Sequence, residues 1–290
     1  MLFGKLLEEV YIAVGLQVLR RVATSGSTIT VVDSAYANRK GDGFYAQGAN
    51  GGHILFISQT TDDGAPVNQF GEVSAYTLST TTPTFTIPTL TAAVGAGDIY
   101  AVMKSQVQLY EMIGRINEGL RRLGEMERVD TTLTGLASTR AYNLPAGIRK
   151  SNLLQIEIGN DTDGWEDTGG FAITPKSGST QDQLLFTGQP PSDSVTAANK
   201  TIKIRFRGAH PTMSVYSDSI EKSVHDELAI ALCAETVMEH IMNKRTGSYN
   251  DKTKIAFYSN IVKRSEAAQM KHPIRVQPGT HRQRFNLGEL

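Results

Sequence analysis

Cys233 is the only cysteine in this chain of 290 residues. No intrachain disulfide can form, so a small disulfide-stapled scaffold is excluded. Excess charge of either sign is also missing, since 29 Lys and Arg balance 29 Asp and Glu. A surface that grips nucleic acid all over is normally strongly basic, which excludes that class. No apolar run approaches the ~20 residues needed to cross a bilayer, so no membrane partner is expected. The N-terminal run over 10–19 is interrupted by Gln17, preceded by Lys5, Glu8 and Glu9, and followed by Arg20 and Arg21. It lacks the small-residue cleavage site of a signal peptide and reads as part of an amphipathic helix.

The motifs of catalysis and cofactor binding are missing too. The six histidines are His53, His210, His225, His240, His272 and His281, and none has zinc-site spacing. His225-Asp226-Glu227 lacks the second His, one helical turn on, of a metalloprotease face. His225 and His240 read as helix-surface or interface residues. Asp161-Thr162-Asp163-Gly164 lacks the later ligands of a calcium loop and reads as an acidic turn. Gly41, Gly43 and Gly48 have the wrong spacing for a dinucleotide fingerprint, and neither a Walker motif nor a Gly-x-Ser-x-Gly elbow is present. Glu166 and Asp167 sit in a polar stretch with nothing apolar to split their pKa values. Cys233 lies in an apolar segment without a cation beside it, so it reads as a core or interface residue. The expectation is no catalytic residue, no cofactor and no metal.

What is present is strong patterning. Leu6, Val10 and Val14, with Leu7, Tyr11 and Val18, predict a helix over 2–23, within an N-terminal segment 1–26. Residues 27–101 form a Thr/Gly-rich β module, with strands expected at Thr28–Val32, His53–Ser58, Glu72–Leu78 and Thr84–Ile87. Pro83 and Pro88 place the last of these at an edge. Residues 104–127 predict the clearest helix, with Leu109, Ile113, Ile116, Leu120 and Leu123 along one seam. Gly114, Gly119 and Gly124 recur within it at roughly 1 kcal/mol each relative to Ala, which suits close approach of a neighbouring backbone. A second β module covers 130–207, with strands expected at Arg140–Asn143, Leu153–Ile158, Phe171–Ile173, Leu184–Phe186 and Thr201–Arg207. Helices over 218–243 and 251–270 follow, capped by Ser217 or Asp218 and by Asn250 or Asp251. Segments 102–129 and 208–270 together make a helical core. The fold class expected is α+β: a core of long amphipathic helices, two antiparallel β-rich modules (small barrel or sandwich) and an extended C-terminal arm.

Three polar residues and one segment stand out. Glu235 falls inside the apolar stripe Ile220, Val224, Leu228, Ala231, Met238 and Met242, so it needs a partner. Arg115 or Arg122 can supply a structural ion pair. His210, before Pro211, reads as a residue that orders the strand-to-helix turn through a backbone hydrogen bond. Charge is unevenly placed: 157–193 is acidic, with Lys176 its one cation, and 263–290 is basic. The basic arm 271–290 interleaves Ile274, Val276, Phe285 and Leu287 with Arg275, Arg282 and Arg284. Apolar anchors between cations fit a segment that docks on a partner protein.

Three stretches resemble head-to-tail adaptor (connector) proteins of tailed bacteriophages. They are Gly95-Ala96-Gly97-Asp98-Ile99-Tyr100 before a long helix, the helix Leu109–Glu125, and Arg207-Gly208-Ala209-His210-Pro211 with the following Asp218 helix and Cys233-Ala234-Glu235. The resemblance implies a non-enzymatic virion protein of the neck, assembled in the host cytoplasm. It implies a homo-oligomeric ring, commonly dodecameric, between the portal protein and the tail or other neck proteins. The C-terminal arm would reach the portal, and double-stranded DNA would pass through the channel without sequence-specific binding. A neutral chain suits such a channel, since many phosphate contacts would hold the DNA back. The β module 27–101 has no counterpart in simpler adaptors. Two other readings stay open: a tail or receptor-binding virion component, and a hydrolase whose site forms between subunits.

Overall fold

The computed structural model describes residues 1–16, 18–37, 40–46, 52–103, 108–136, 139–160, 162, 164–167, 170–175, 181–187, 200–244 and 252–273. Two compact units emerge, the first formed by 1–123 with 210–273 and the second spanning 124–209.

In the first unit, helix α1 (Phe3–Ala13) is stopped by Gly15 at φ +69°. The Gly15 and Leu16 amides donate to the Ile12 and Tyr11 carbonyls, the paired bonds of a Schellman cap. Among the described residues eight strands follow: β1 (Val18–Val22), β2 (Ser25–Gly26), β3 (Thr30–Val32), β4 (Ile54–Gln59), β5 (Phe70–Glu72), β6 (Ala75–Thr77), β7 (Thr84–Thr86) and β8 (Ile99–Met103). They form two antiparallel sheets, ordered β1-β8-β4-β5 and β2-β3-β7-β6. The two sheets share one core, containing Val31, Leu55, Ile57, Tyr76, Phe85, Tyr100 and Val102. Tyr36, Tyr45, Tyr76 and Phe85 interlock there with ring centroids 4.8–5.4 Å apart. Ile54 to Ile57 are all buried, because β4 is covered on both faces and so reads as an unbroken apolar run.

Helix α2 (Leu109–Arg121) precedes the crossing into the second unit at Gly124, whose φ of +78° turns the chain from helix to strand. Among the described residues seven strands follow: β9 (Glu125–Thr134), β10 (Ala141–Asn143), β11 (Leu153–Asn160), β12 (Gly164–Asp167), β13 (Phe171–Pro175), β14 (Asp182–Phe186) and β15 (Thr201–Ala209). Their antiparallel sheets are ordered β12-β11-β15-β9 and β10-β14-β13. Ile156, Ile158, Ile202, Ile204 and Phe206 from one meet Tyr142, Ile173, Leu184 and Phe186 from the other. The alternation in β15 is explained by this: its branched and aromatic residues enter the core, while Lys203 and Arg205 reach Glu157 and Glu127 on the other face.

The chain re-enters the first unit at His210. Asp218–Ile220 does not start a helix, because Phe3 N–H donates to the Asp218 carbonyl and Ile220 N–H to that of Met1, holding this stretch extended. The Asp218 carboxylate caps no helix; it accepts from the Ser214 and Val215 amides. Helix α3 (Asp226–Lys244) starts eight residues later than its patterning predicts, and α4 (Lys252–Lys271) follows. α3 packs against α1, α2 and α4, which is why it is apolar nearly all round rather than on one stripe. The expected caps at Asn250 and Asp251 lie outside the described residues.

The expected core of long amphipathic helices is therefore not what organises this chain. Among the described residues, four antiparallel sheets dominate, accompanied by four α-helices. Residues 18–22 form a strand, not the end of a helix, because Gly15 breaks the helix and Val18–Val22 pairs with β8 from Val18↔Met103 to Val22↔Ile99. Residues 125–127 likewise belong to β9. β7 is an interior strand, bonded to β3 and β6, so Pro83 and Pro88 flank it without marking an edge.

Candidate functional site

The segment after β15 holds most of the polar residues that could carry chemistry. His210 is buried, its Nδ1 lies 2.8 Å from the Pro211 carbonyl, and the Glu221 N–H donates to Nε2 at 3.2 Å. With Nε2 accepting, the ring proton sits on Nδ1, and the imidazole ties both ends of the 210–221 stretch together. Asn117 of α2 does similar work: Nδ2 donates to the Met213 carbonyl at 2.8 Å and Oδ1 accepts the Met213 N–H at 2.8 Å.

The α2–α3 contact is close because Gly119 has no side chain. A Cβ there would lie 2.7 Å from Cys233 Cα and 2.9 Å from the Leu232 carbonyl. Gly114 and Gly124 meet no such neighbour, so one glycine of the three permits the approach. Cys233 donates its thiol to the Ile116 carbonyl at 3.4 Å, and Thr236 donates to that of Arg115 at 2.9 Å. Burial pushes the Cys233 thiol far above its ordinary value, which removes the thiolate a nucleophile needs.

Glu235 takes Arg122 as its partner, Oε1 to Nη1 at 3.1 Å, while Arg122 Nη2 reaches Glu239 at 2.9 Å. Arg115 is engaged elsewhere, pairing with Glu118 at 2.7 Å within α2. The Glu235 side chain is 18% exposed, so the pair lies at the margin of the helix packing and not in its centre. Burial alone would lower the Arg122 value, but hydrogen bonding to Glu239 and the charges of Glu239 and Glu235 raise it.

A second polar centre had no signal in the sequence. Glu8 on α1 has no exposed side-chain surface, yet Lys5 donates to Oε2 at 2.9 Å, and Arg20 of β1 and Ser58 of β4 donate to Oε1 at 2.9 and 3.2 Å. Burial opposes its ionisation; the hydrogen bonds from Lys5 and Arg20 outweigh that and hold the carboxyl below the usual carboxylate range. The helical reading of residues 2–23 hid this pairing, since it put Arg20 on the same helix as Glu8.

The acidic stretch is partly spoken for as well. Glu157 accepts from Lys203 and Arg205 at 3.2 Å, and Asp182 accepts the Lys150 N–H at 3.2 Å. The expected docking residues Ile274, Arg275, Val276, Arg282, Arg284, Phe285 and Leu287 lie outside the described residues. So do Asp161, Asp163 and Asp193. No helix is long and apolar enough to cross a membrane among the described residues.

One group was missed because its members are distant in sequence. His225, Glu227 and His272 come together where α3 begins and α4 ends. Spacing rules look for ligands within one helix turn, and Glu227 and His272 are 45 residues apart.

The chain matches no known protein-family model, and no curated protein matches it significantly.

Proposed function

We propose that this chain is a non-enzymatic structural protein of a tailed-phage virion neck, a head-to-tail adaptor whose copies form a ring between portal and tail. The observation that carries the structural role is the use made of its reactive residues. Cys233 is a buried donor between two helices, His210 a backbone tie, and Glu235 half of an ion pair with Arg122. Groups held in packing and backbone hydrogen bonds in this way support a structural reading. Support for subunit contact comes from the sheet edges. β1 and β9 each end a sheet, and they carry Val22 and Val129 at 57% and 47% exposure. An edge strand bearing exposed apolar residues is a natural surface for a neighbour. A closed ring would use heterologous contacts, one patch meeting a different patch on the next copy.

The neck assignment itself comes from the resemblance of three segments, each of which the structure sets differently from the expected helical context. Gly95–Tyr100 leads into β8 and not directly into a helix, and the helix after His210 begins at Asp226. The Leu109–Glu125 stretch is helical only to Arg121, with Glu125 opening β9, while Cys233-Ala234-Glu235 lies within α3. Lys271 ends α4, so of the arm expected over 271–290 it is the 274–290 segment that is proposed to dock on the portal. Electron microscopy and native mass of the full chain, alone and with its cognate portal, test the ring. Truncation after Pro273 tests the arm: portal binding should be lost while the circular dichroism spectrum stays unchanged. Portal binding that survives the truncation rules out the arm's role.

A further inference from the structure

At the junction of α3 and α4, three metal-ligating side chains converge. His225 precedes α3 and caps it, its Nδ1 accepting the Glu227 N–H at 3.3 Å. Glu227 lies in the first turn of α3, and His272 directly follows α4. His272 Nε2 is 3.0 Å from Glu227 Oε2, and the His225 and His272 rings stack at 3.7 Å with 4° between their planes. One ligand atom from each residue lies within 4.8 Å of the other two. We propose that His225, Glu227 and His272 bind a divalent transition-metal ion of the zinc class, clipping the end of α4 to the start of α3.

The donor set selects the ion. Two imidazoles and one carboxylate suit zinc, cobalt, nickel or copper, whereas calcium and magnesium prefer all-oxygen shells. A tetrahedral ion with bonds near 2.0–2.2 Å separates its ligands by about 3.3 Å. The Glu227–His272 spacing of 3.0 Å is already at that scale, and side-chain torsions can bring in the third ligand. Glu227 and His225 are exposed and His272 is half-buried, so an ion can enter and a water can complete the shell.

Three local changes accompany binding. Lys271 Nζ, 2.8 Å from Glu227 Oε2, must swing away from the carboxylate. Lone pairs of parallel rings do not converge, so one imidazole must turn about its Cβ–Cγ bond. Both rings then change tautomer: His272, whose Nε2–H donates to Glu227, carries its proton on Nδ1 to free Nε2, and His225 does the same, giving up the 3.3 Å bond from the Glu227 amide, which is long for an N–H donor. The Lys271 displacement sets a signature: removing that ammonium should tighten metal binding.

The experiment is calorimetric titration of zinc into tag-free, chelator-stripped full-length protein, with cobalt absorption to report coordination. One equivalent per chain is expected, with tetrahedral cobalt bands. His225→Asn, which keeps a helix-capping side chain, and His272→Ala should each weaken binding by at least about tenfold, the scale that even outer-sphere partners carry. Lys271→Ala should strengthen it. Absence of saturable binding to the wild type overturns the site, leaving a stacked histidine clasp without metal. Wild-type affinity in both histidine variants overturns it too, placing the ion elsewhere. The site stands apart from the neck assignment, because a chain that forms no ring can still bind the ion.

Discussion

Glu8 carries its charge in a fully covered position because Lys5, Arg20 and Ser58 all donate to it. Glu8→Gln removes the charge but keeps the shape, leaving the two cations to water they already partly reach. The expected loss is about 1–3 kcal/mol, read from the urea midpoint. The pH dependence has a definite sign. The folded carboxyl titrates below its unfolded counterpart, so its contribution is complete above the usual Glu range near pH ~4.3 and fades as pH falls through the folded value. The variant should lack that part of the acid slope, and an identical slope in both proteins would remove Glu8 as its source. Cys233 offers a second check at this scale. Its buried, protonated thiol should resist a disulfide reagent at pH 8 in the native protein and react fully in denaturant. Rapid native labelling would show that the α2–α3 contact is looser than described.

At the level of elements, the contact between α2 and α3 rests on a single glycine. Gly119→Ala places a methyl 2.7 Å from the Cys233 backbone and should cost about 1–3 kcal/mol. Gly114→Ala, on the same helix with open space around it, should be neutral or stabilise by up to about 1 kcal/mol. Thermal unfolding of the two variants separates packing from helix propensity. The same helices show how far patterning can be read. β11 and β15 are legible because alternating residues face a core and a water-facing ion-pair layer. β1 is not, since its short apolar run continues a helical period and only Gly15 breaks it. The start of α3 is hidden by a tertiary cause: pairing of Asp218–Ile220 with the first residues of the chain holds extended a stretch whose spacing fits a helix. The Glu235 ion pair was legible as a need, but choosing Arg122 over Arg115 depended on where along α2 the helices cross. His225, Glu227 and His272 were all visible and individually bland; only the return of α4 to the start of α3 brings them together.

For the molecule as a whole, two β-rich units are joined through Gly124 and His210, and among the described residues Cys233, His210 and Glu235 serve as internal fasteners. On the adaptor reading, exposed apolar residues on edge strands and the basic segment after Pro273 are where other chains would attach. On the adaptor reading, loss of that segment should abolish portal docking, while the end of α4 stays fastened, since Lys271 and His272 keep their contacts with Glu227. The most direct test of the adaptor reading is electron microscopy of the full-length chain mixed with its cognate portal. The reading predicts a closed ring of copies stacked coaxially on the portal. A chain that stays monomeric and leaves the portal bare at saturating concentration would contradict it.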